Sequence, residues 1–276
     1  MTSISPGIRN RLACTVTQKT TRGSDAPDFH DNQCISPTVR FIGAGPGAAD
    51  LITVRGWCLL EEADVLLYAG SLVNPDLIAI SKAAIRENSL GMKLEDQVRL
   101  MATHARAGKN VVRLHSGDPS VYGSISEQII ELEKEGIAVE IVPGVSSLFG
   151  SAAALRAELT PKGVAESVII TRPAGKTLER DQIREFSRTG ATMAIFLGTG
   201  HLEQIAATVE CPQDTPAALV YKATWDDEKC IRGTIGTIAG LAKEAGIERS
   251  ALLLIGNALD PERKGVQRSH LYSGQA

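Results

Sequence analysis

Three apolar segments of this sequence each run directly into a glycine-containing turn. They are residues 39–47 (VRFIGAGPG), 112–123 (VRLHSGDPSVYG) and 139–147 (VEIVPGVSS). In an open sheet of parallel strands, ligands bind in the crevice outside the carboxyl ends of the strands. The three turns therefore predict one ligand site that is assembled from three strand ends.

The second of these turns contains the residue types best suited to binding a ligand. Gly117 allows the backbone to approach a small molecule closely, Asp118 supplies a hydrogen-bond acceptor, and Pro119 fixes φ at the start of the next helix. Gly-Asp-Pro also ends many strands for local reasons alone. The prediction of a binding site therefore depends on the three turns together.

The alternation of strand-like and helix-like patterns predicts an α/β fold. Up to residue 142 it is typical of βαβ units in a mostly parallel sheet. The strand-like runs there are 39–42, 64–69, 110–115 and 137–142, and the helix-like runs are 51–62, 74–81, 94–107 and 123–135. An Ala-rich helix is expected over 147–159, followed by a break and a second set of strands at 167–172, 191–197, 216–221 and 251–256.

We therefore expect two α/β domains, at residues 38–158 and 164–260. The first carries the GAGPG, SGDP and PGVSS loops. Residues 1–37 are rich in Thr, Ser, Asn, Arg and Asp without sustained periodicity, which predicts an extension with no ordered structure. Residues 261–276 are expected to form a tail.

Composition limits the classes of function. A length of 276 residues with 43% apolar residues fits one large domain or two modest ones. The net charge of −3, without a concentrated basic region, disfavours nucleic acid as a partner. No apolar run approaches the ~18 residues of a membrane span, and no secretory segment opens the chain.

The cysteines are scattered and lack Cys-x-x-Cys spacing. They are Cys14, Cys34, Cys58, Cys211 and Cys230. This pattern predicts neither a disulfide framework nor a zinc site, so no metal is expected. It indicates a reducing, cytoplasmic setting.

The first glycine turn formally fits a dinucleotide-binding fingerprint, as Gly43-x-Gly45-x-x-Ala48. Two features disfavour NAD or FAD. Asp64 precedes the next apolar run, whereas the ribose-binding acid ends the second strand of such a site. Pro46 also lacks the backbone N–H that a pyrophosphate needs. A tight turn without a ligand remains an alternative.

Over residues 38–260 the chain resembles the tetrapyrrole methyltransferases of the cobalamin pathway. The motifs are GAGPG at 43–47, GDP with Tyr122-Gly123 at 117–123, PGVSS at 143–147 and PAA at 216–218. The resemblance implies two α/β domains with a cleft between them for S-adenosyl-L-methionine (SAM), a small-molecule tetrapyrrole substrate and a homodimer. The runs 67–73 (LYAGSLV) and 220–225 (VYKATW) are most similar to members that methylate C11 of precorrin-4.

The resemblance also implies roles for individual residues. SAM is expected to contact Pro46, Ser116, Gly117, Asp118 and Val121 of the first domain. Ser146 and Ser147 are expected to hold its methionine part, and Leu197, Ala218 and Gly233 its adenosine. Leu197 and Ala218 are also typical strand-core residues.

The implied substrate carries many carboxylates, which guanidinium groups bind well. Arg113 and Arg172 are candidates because each lies in or at the end of an apolar strand. Tyr68 and Ser71 are candidates for hydrogen bonds to the edge of the macrocycle. For all four, a contact within the protein is an equal alternative. His104, His115 and Trp225 are assigned packing or surface roles.

Methyl transfer from a sulfonium needs neither a metal nor a covalent intermediate, because the methyl group is already activated. The enzyme must mainly hold the carbon nucleophile in line and exclude water. No general base is assigned. Three alternatives stay open: another precorrin position, an rRNA or protein substrate, and a non-catalytic binding protein. The sequence also leaves open whether the substrate contains cobalt.

Overall fold

The first half of the chain forms a sheet of five parallel strands in the order β3-β2-β4-β1-β5. The strands are β1 (Thr38–Gly43), β2 (Val65–Tyr68), β3 (Ile85–Asn88), β4 (Val111–His115) and β5 (Ala138–Val142). The computed structural model describes residues 37–268, without the side chain of Ser71. Residues 1–36 of the extension expected over 1–37, and residues 269–276 of the expected tail, lie outside the described residues.

The helices of this half are α1 (Val54–Glu61), α2 (Pro75–Ile80), α3 (Leu94–Arg106) and α4 (Ile125–Lys134). Local chemistry sets where they begin. Thr53 caps α1 by accepting a hydrogen bond from the Gly56 N–H, and Asn74 caps α2, which starts at Pro75. Helices and loops cover both faces of the sheet, as the largely buried strands β2 and β4 require.

The second half forms a mixed five-stranded sheet in the order β6-β7-β10-β8-β9. Its strands are β6 (Val168–Thr171), β7 (Thr192–Ile195), β8 (Pro216–Tyr221), β9 (Lys229–Thr234) and β10 (Ala251–Ile255). Its helices are α6 (Ile183–Phe186), α7 (Leu202–Thr208) and α8 (Ile235–Glu244). β10 runs antiparallel to both β7 and β8.

Helix α5 (Ser147–Ala154) connects the two sheets. It begins directly after the third glycine turn of the first sheet. Leu148 and Ala152 on its inner face pack with Ala194 and Ala218 of the second sheet in one apolar cluster. A helix that starts at one sheet and is buried against the other fixes the two sheets relative to each other.

The prediction of an α/β fold with two sheets is confirmed, with local errors. The sequence reading missed β3 and β9, because both are edge strands with exposed polar positions and weak apolar alternation. The expected helix over 147–159 ends at Ala154. Arg156 adopts φ +50°, which a continuing helix does not allow.

Within residues 37–268, no helix combines the length and the apolar character that crossing a bilayer requires. The same residues hold no group of three or more His, Cys, Asp or Glu side chains that could bind a metal ion. Cys211 and Cys230 are free, whereas Cys58 is disulfide-bonded.

The three glycine turns meet backbone to backbone. A Cβ atom at Gly43 would lie 2.5 Å from the Gly144 Cα and 2.6 Å from the Gly117 carbonyl oxygen. Gly45 and Gly117 hydrogen-bond to each other in both directions, at 3.2 and 2.8 Å. The sequence prediction that these strand ends lie side by side is confirmed, since β4, β1 and β5 are neighbours in the sheet.

Substituting Gly144 tests this contact. In Gly144→Ala the new Cβ would lie 2.2 Å from the Gly117 carbonyl oxygen, so backbone must move. We expect the free energy of unfolding in urea to fall by about 1–3 kcal/mol. The control is Gly240→Ala in α8, where a Cβ meets nothing within 4 Å. It should be neutral or stabilise by about 0.5–1 kcal/mol. Equal stability of the two variants would contradict the close packing.

Candidate active site

A cavity of about 350 Å³ lies between the two sheets, at the carboxyl ends of the first sheet's strands. Eight of the ten positions implied for the cofactor line it, namely Pro46, Ser116, Gly117, Asp118, Val121, Ser146, Ser147 and Leu197. Its volume falls in the range of about 300–1,000 Å³ that is typical of small-molecule sites. The structure thus brings together residues that are up to 151 positions apart in sequence, from Pro46 to Leu197.

The other two positions lie elsewhere. Ala218 is fully buried inside β8, in the apolar cluster beneath α5. Gly233 lies in β9, where a Cβ would meet Thr237 and Leu241 of α8. The cavity instead reaches Ala223, just after β8, and Ala251, the first residue of β10.

Ala218 and Gly233 thus lie outside the cavity wall, to which the second sheet contributes residues around the end of β8 and the start of β10. The sequence reading also missed several other lining residues: Leu72, Ser151, Phe196, Thr199, Val220, Lys222, Ser250 and Leu252. The run 220–225 is the sequence signal that points to Val220 and Lys222. The pairing of β8 with β10, which brings residue 251 beside residue 221, has no local signature in sequence.

Asp118 organises the second turn. Its carboxylate accepts hydrogen bonds from the Gly144 N–H at 2.8 Å, from the Ser120 N–H at 2.8 Å, and from the Ser120 hydroxyl. Burial raises the pKa of Asp118, but these hydrogen bonds outweigh burial and hold the pKa below its usual value. The carboxylate is therefore ionised near neutral pH, and it joins the second and third turns.

A contact between the two halves closes one side of the cavity. Trp225 packs against Gly47, where a Cβ would lie 2.2 Å from the indole Cδ1 atom. The Ala48 N–H donates to the Thr224 hydroxyl at 2.9 Å, and the Asn74 side-chain amide donates to the Gly47 carbonyl at 2.9 Å. Trp225 thus has the packing role expected of it and also lines the cavity.

Backbone strain is concentrated around the cavity. Among the described residues, eight non-glycine residues have positive φ, and four of these line the cavity: Tyr122, Leu197, Lys222 and Ser250. Such conformations cost free energy and cluster at functional sites. Leu197 is 65% exposed, which is also unusual for a large apolar side chain at the end of a strand.

Two aromatic side chains, Tyr122 and Phe196, line the cavity, and Arg172 contacts Tyr122 without lining the cavity itself. The Tyr122 and Phe196 rings lie 5.4 Å apart, and the Arg172 guanidinium lies 5.6 Å from the Tyr122 ring centroid. Arg172 also donates to the Thr177 hydroxyl at 2.9 Å. Burial raises the pKa of Tyr122, and the charge of Arg172 opposes that shift only in part, so the phenol stays neutral.

Tyr68 and Ser71 lie on the loop after β2. Tyr68 is half-buried and packs against the apolar cluster of α1 and α2, while its carbonyl accepts from Ser89. Ser71 belongs to the turn Gly70–Leu72, whose Leu72 lines the cavity, but its side chain lies outside the described structure. Tyr68 is not among the residues that line the cavity.

Arg113 does not reach the cavity. It is 4% exposed, and its Nε atom donates to the Gln128 side chain of α4 at 3.3 Å. The neighbouring His115 is also 4% exposed and stacks on Phe41, with ring centroids 5.6 Å apart. The structure thus favours the internal contact that the sequence left open for Arg113, and it gives His115 the packing role expected of it.

A larger cavity of about 500 Å³ lies elsewhere, around residues 155–161 and 257–266. It opens at the other end of the second sheet, where β10 ends. None of the glycine turns contributes to it. We assign the site to the smaller cavity because that cavity combines the turns, the ionised Asp118 and the strained backbone.

Comparisons with known proteins identify the family of the chain. A family model described as Tetrapyrrole (Corrin/Porphyrin) Methylases matches residues 38–239. A Methanocaldococcus jannaschii relative named cobalt-precorrin-4 C(11)-methyltransferase is 48% identical over 81% of this chain and 89% of its own length. A Rhodococcus erythropolis relative named precorrin-4 C(11)-methyltransferase is 42% identical over 86% and 96% of the two chains.

Solved structures give the same result. The structure of a cobalt precorrin-4 methyltransferase of cobalamin biosynthesis matches with a TM-score of 0.79 at 44% identity, covering 82% of this chain and 97% of that one. A Thermus thermophilus uroporphyrin-III C-methyltransferase, in complex with S-adenosylhomocysteine, matches with a TM-score of 0.67 at 28% identity. That match covers 81% of this chain and 93% of the other.

His115 predicts a measurable dependence of stability on pH. Burial, and secondarily the charge of Arg113, lower the pKa of His115 from 6.5 to about 3. Between these values the unfolded chain binds the extra proton, so the stabilising effect of neutral His115 is complete above pH 6.5 and is lost on acidification. Between pH 6.5 and 4.5, the free energy of unfolding should fall less steeply in His115→Gln than in the wild type. The difference between the two slopes should be up to about 1.4 kcal/mol per pH unit.

The measurement is urea unfolding of both proteins at several pH values in this range. The comparison uses the slope against pH and not the absolute stability, since the substitution also removes the stacking on Phe41. Parallel slopes for the two proteins would show that His115 binds its proton as readily in the folded state as in the unfolded chain, which would contradict the lowered pKa.

Proposed function

The chain belongs to the tetrapyrrole methylase family, and we propose that it transfers the methyl group of SAM to C11 of precorrin-4, giving precorrin-5. The observation that carries the proposal is the convergence of the three glycine turns and the 222–225 loop on one cavity. The relatives named for C11 methylation support the position of attack, because their similarity extends over most of the chain.

The residues of the cavity fit SAM. SAM supplies a methyl group that is activated by its bond to a sulfonium. Ser146 caps α5 by accepting from the Leu148 N–H, so the positive end of this helix lies beside the Ser146 and Ser147 hydroxyls. These groups suit the methionine carboxylate, and the ionised Asp118 suits the ammonium group nearby. The small residues Ala223 and Ala251 leave room for adenosine.

The substrate surface is the group formed by Tyr122, Phe196 and Arg172. Two aromatic rings offer apolar faces to a flat macrocycle, and the guanidinium offers paired donors to one of its carboxylates. Tyr122 belongs to the loop that also provides Asp118, so substrate and cofactor are held by one turn. The proposal gives this role to Arg172 and not to the buried Arg113.

The residues of the chain act in the reaction by holding the substrate and the cofactor in position. The electron pair of the ring carbon forms the new C–C bond while the C–S bond breaks and its electrons return to sulfur. Of the ionisable groups that line the cavity in the described structure, Asp118 is held ionised by hydrogen bonds, Tyr122 is held neutral, and Lys222 is bonded to Asp227 at 2.6 Å. None is poised to exchange a proton near neutral pH, so we assign no general base.

Several further properties belong to the proposal. We propose domains at residues 38–158 and 164–260, a cytoplasmic location and a homodimer, which light scattering would test. We also propose that SAM binding and turnover need no bound metal. Full turnover after exhaustive chelation is the expected result, and activity that returned only with an added divalent ion would contradict it.

The deciding assay uses SAM labelled with ¹³C in its methyl group. Precorrin-4 is supplied in metal-free and cobalt-containing form in separate reactions, with uroporphyrinogen III and unmodified rRNA as competing substrates. NMR should place the label on C11 of one or both precorrin-4 forms. Label on another ring carbon or on rRNA, or bound SAM without any transfer, would contradict the proposed reaction.

Arg172→Lys tests the substrate surface. An ammonium cannot reproduce the planar fork of a guanidinium, and removing one charged hydrogen bond costs about 1–3 kcal/mol. We expect kcat/KM for the tetrapyrrole to fall roughly tenfold to a hundredfold, with the Kd for S-adenosylhomocysteine unchanged. Arg99→Lys, on α3 beside Asp96, is the matched control and should change neither value. Equal losses for both ligands would instead assign Arg172 to the Tyr122 and Thr177 contacts alone.

A further inference from the structure

One lining residue of the cavity has a polar atom without a partner. Ser151 lies in α5, exposes none of its surface to solvent, and lines the cavity. Its hydroxyl forms no hydrogen bond among the described residues. Serine inside a helix usually bonds back to a carbonyl one turn earlier, and this one does not. Three other side chains also have a buried polar atom without a partner, namely Gln97, Arg113 and His115, but none of them lines the cavity.

An unpartnered buried hydroxyl is unfavourable unless something in the cavity satisfies it. The hydroxyl provides one donor and two acceptor positions, so it can match either a donor or an acceptor on a bound molecule. Alanine at this position would fill nearly the same space without that cost. The serine therefore indicates a polar partner that arrives with the ligand.

The position of Ser151 along α5 indicates which part of SAM it faces. Ser147 and Ser151 are four residues apart, so they lie on the same face of the helix, about one turn or 5.4 Å apart along its axis. Ser147 lies at the polar end with Ser146 and Asp118. Ser151 lies one turn further in, toward the apolar cluster that α5 forms with the second sheet.

The cavity wall contributed by that cluster consists of Val220, Ala223 and Leu252, which are all buried. A charged ammonium or carboxylate would be poorly solvated there. A flat aromatic base or a ribose, which needs apolar walls and a few directed hydrogen bonds, fits this environment.

We infer that the Ser151 hydroxyl forms a direct hydrogen bond to the adenosine part of SAM and so helps to position the cofactor. The inference rests on the proposed function, since it takes SAM as the ligand of this cavity. It adds a polar contact from α5 beside the buried apolar residues Val220, Ala223 and Leu252.

Calorimetry on the full chain tests the contact with two probes. S-adenosylhomocysteine carries both the adenosine and the amino acid, whereas 5′-methylthioadenosine carries the adenosine without the amino acid. Ser151→Ala should weaken the binding of both probes by the same factor, about five- to tenfold, which is the usual effect of one neutral hydrogen bond. The thermal unfolding midpoint of the ligand-free variant should be equal to or above that of the wild type, because the lost hydroxyl had no partner.

Thr192→Val is the matched control. Thr192 is also fully buried, but its hydroxyl donates to the Leu159 carbonyl at 2.7 Å and lies outside the cavity. This variant should unfold at a lower temperature and bind both probes as the wild type does. Ser151→Ala should therefore lower affinity without lowering stability, and Thr192→Val should lower stability without lowering affinity. The pair of variants separates a ligand contact from a structural role.

Unchanged affinity of Ser151→Ala for both probes would overturn the inference. A loss for S-adenosylhomocysteine alone would also overturn it, because the hydroxyl would then face the amino acid. If the folded wild type bound neither probe, the proposed function itself would fail. If the wild type binds the probes and Ser151→Ala binds them equally well, the proposed function stands and only the role of Ser151 is rejected.

Discussion

The direct contact of three backbone turns at Gly43, Gly117 and Gly144 determines the rest of the site. No side chain separates them, and a Cβ at Gly43 or Gly144 would lie within 2.7 Å of neighbouring backbone. This contact places Asp118 beside the third turn and starts α5 at a fixed position. Because α5 is then buried against the second sheet, the geometry of three glycines also fixes where the second wall of the cavity lies.

The second wall is held by the contact of Trp225 and Thr224 with the first turn at Gly47 and Ala48. Glycine at 47 is required by the indole ring and not by its own φ. The result is a cleft with a polar end at Asp118 and Ser147 and an apolar end at Ala223. A ligand with a charged amino acid at one end and a flat base at the other matches this division, which is why the proposed reaction can depend on positioning.

Much of the architecture could be read from the sequence, because glycine turns after apolar strands have local causes. The order of the turns, the α/β class and most of the first cavity wall followed from them. The second wall did not, since it depends on antiparallel pairing between β8 and β10, which leaves no local pattern. The sequence therefore predicts Ala218 and Gly233 at the cavity, whereas the structure places Ala223 and Ala251 there. Likewise, no sequence pattern shows that Arg113 contacts Gln128 inside the protein.

The most direct test of this account is a crystal structure of the chain with S-adenosylhomocysteine. The account predicts that the ligand occupies the cavity of about 350 Å³, with its amino acid at Asp118 and Ser147 and its adenosine against Ala223. Its sulfur should face the side where Tyr122 and Arg172 lie. Ligand density in the cavity near residues 257–266, or adenosine at the Asp118 end, would contradict the account.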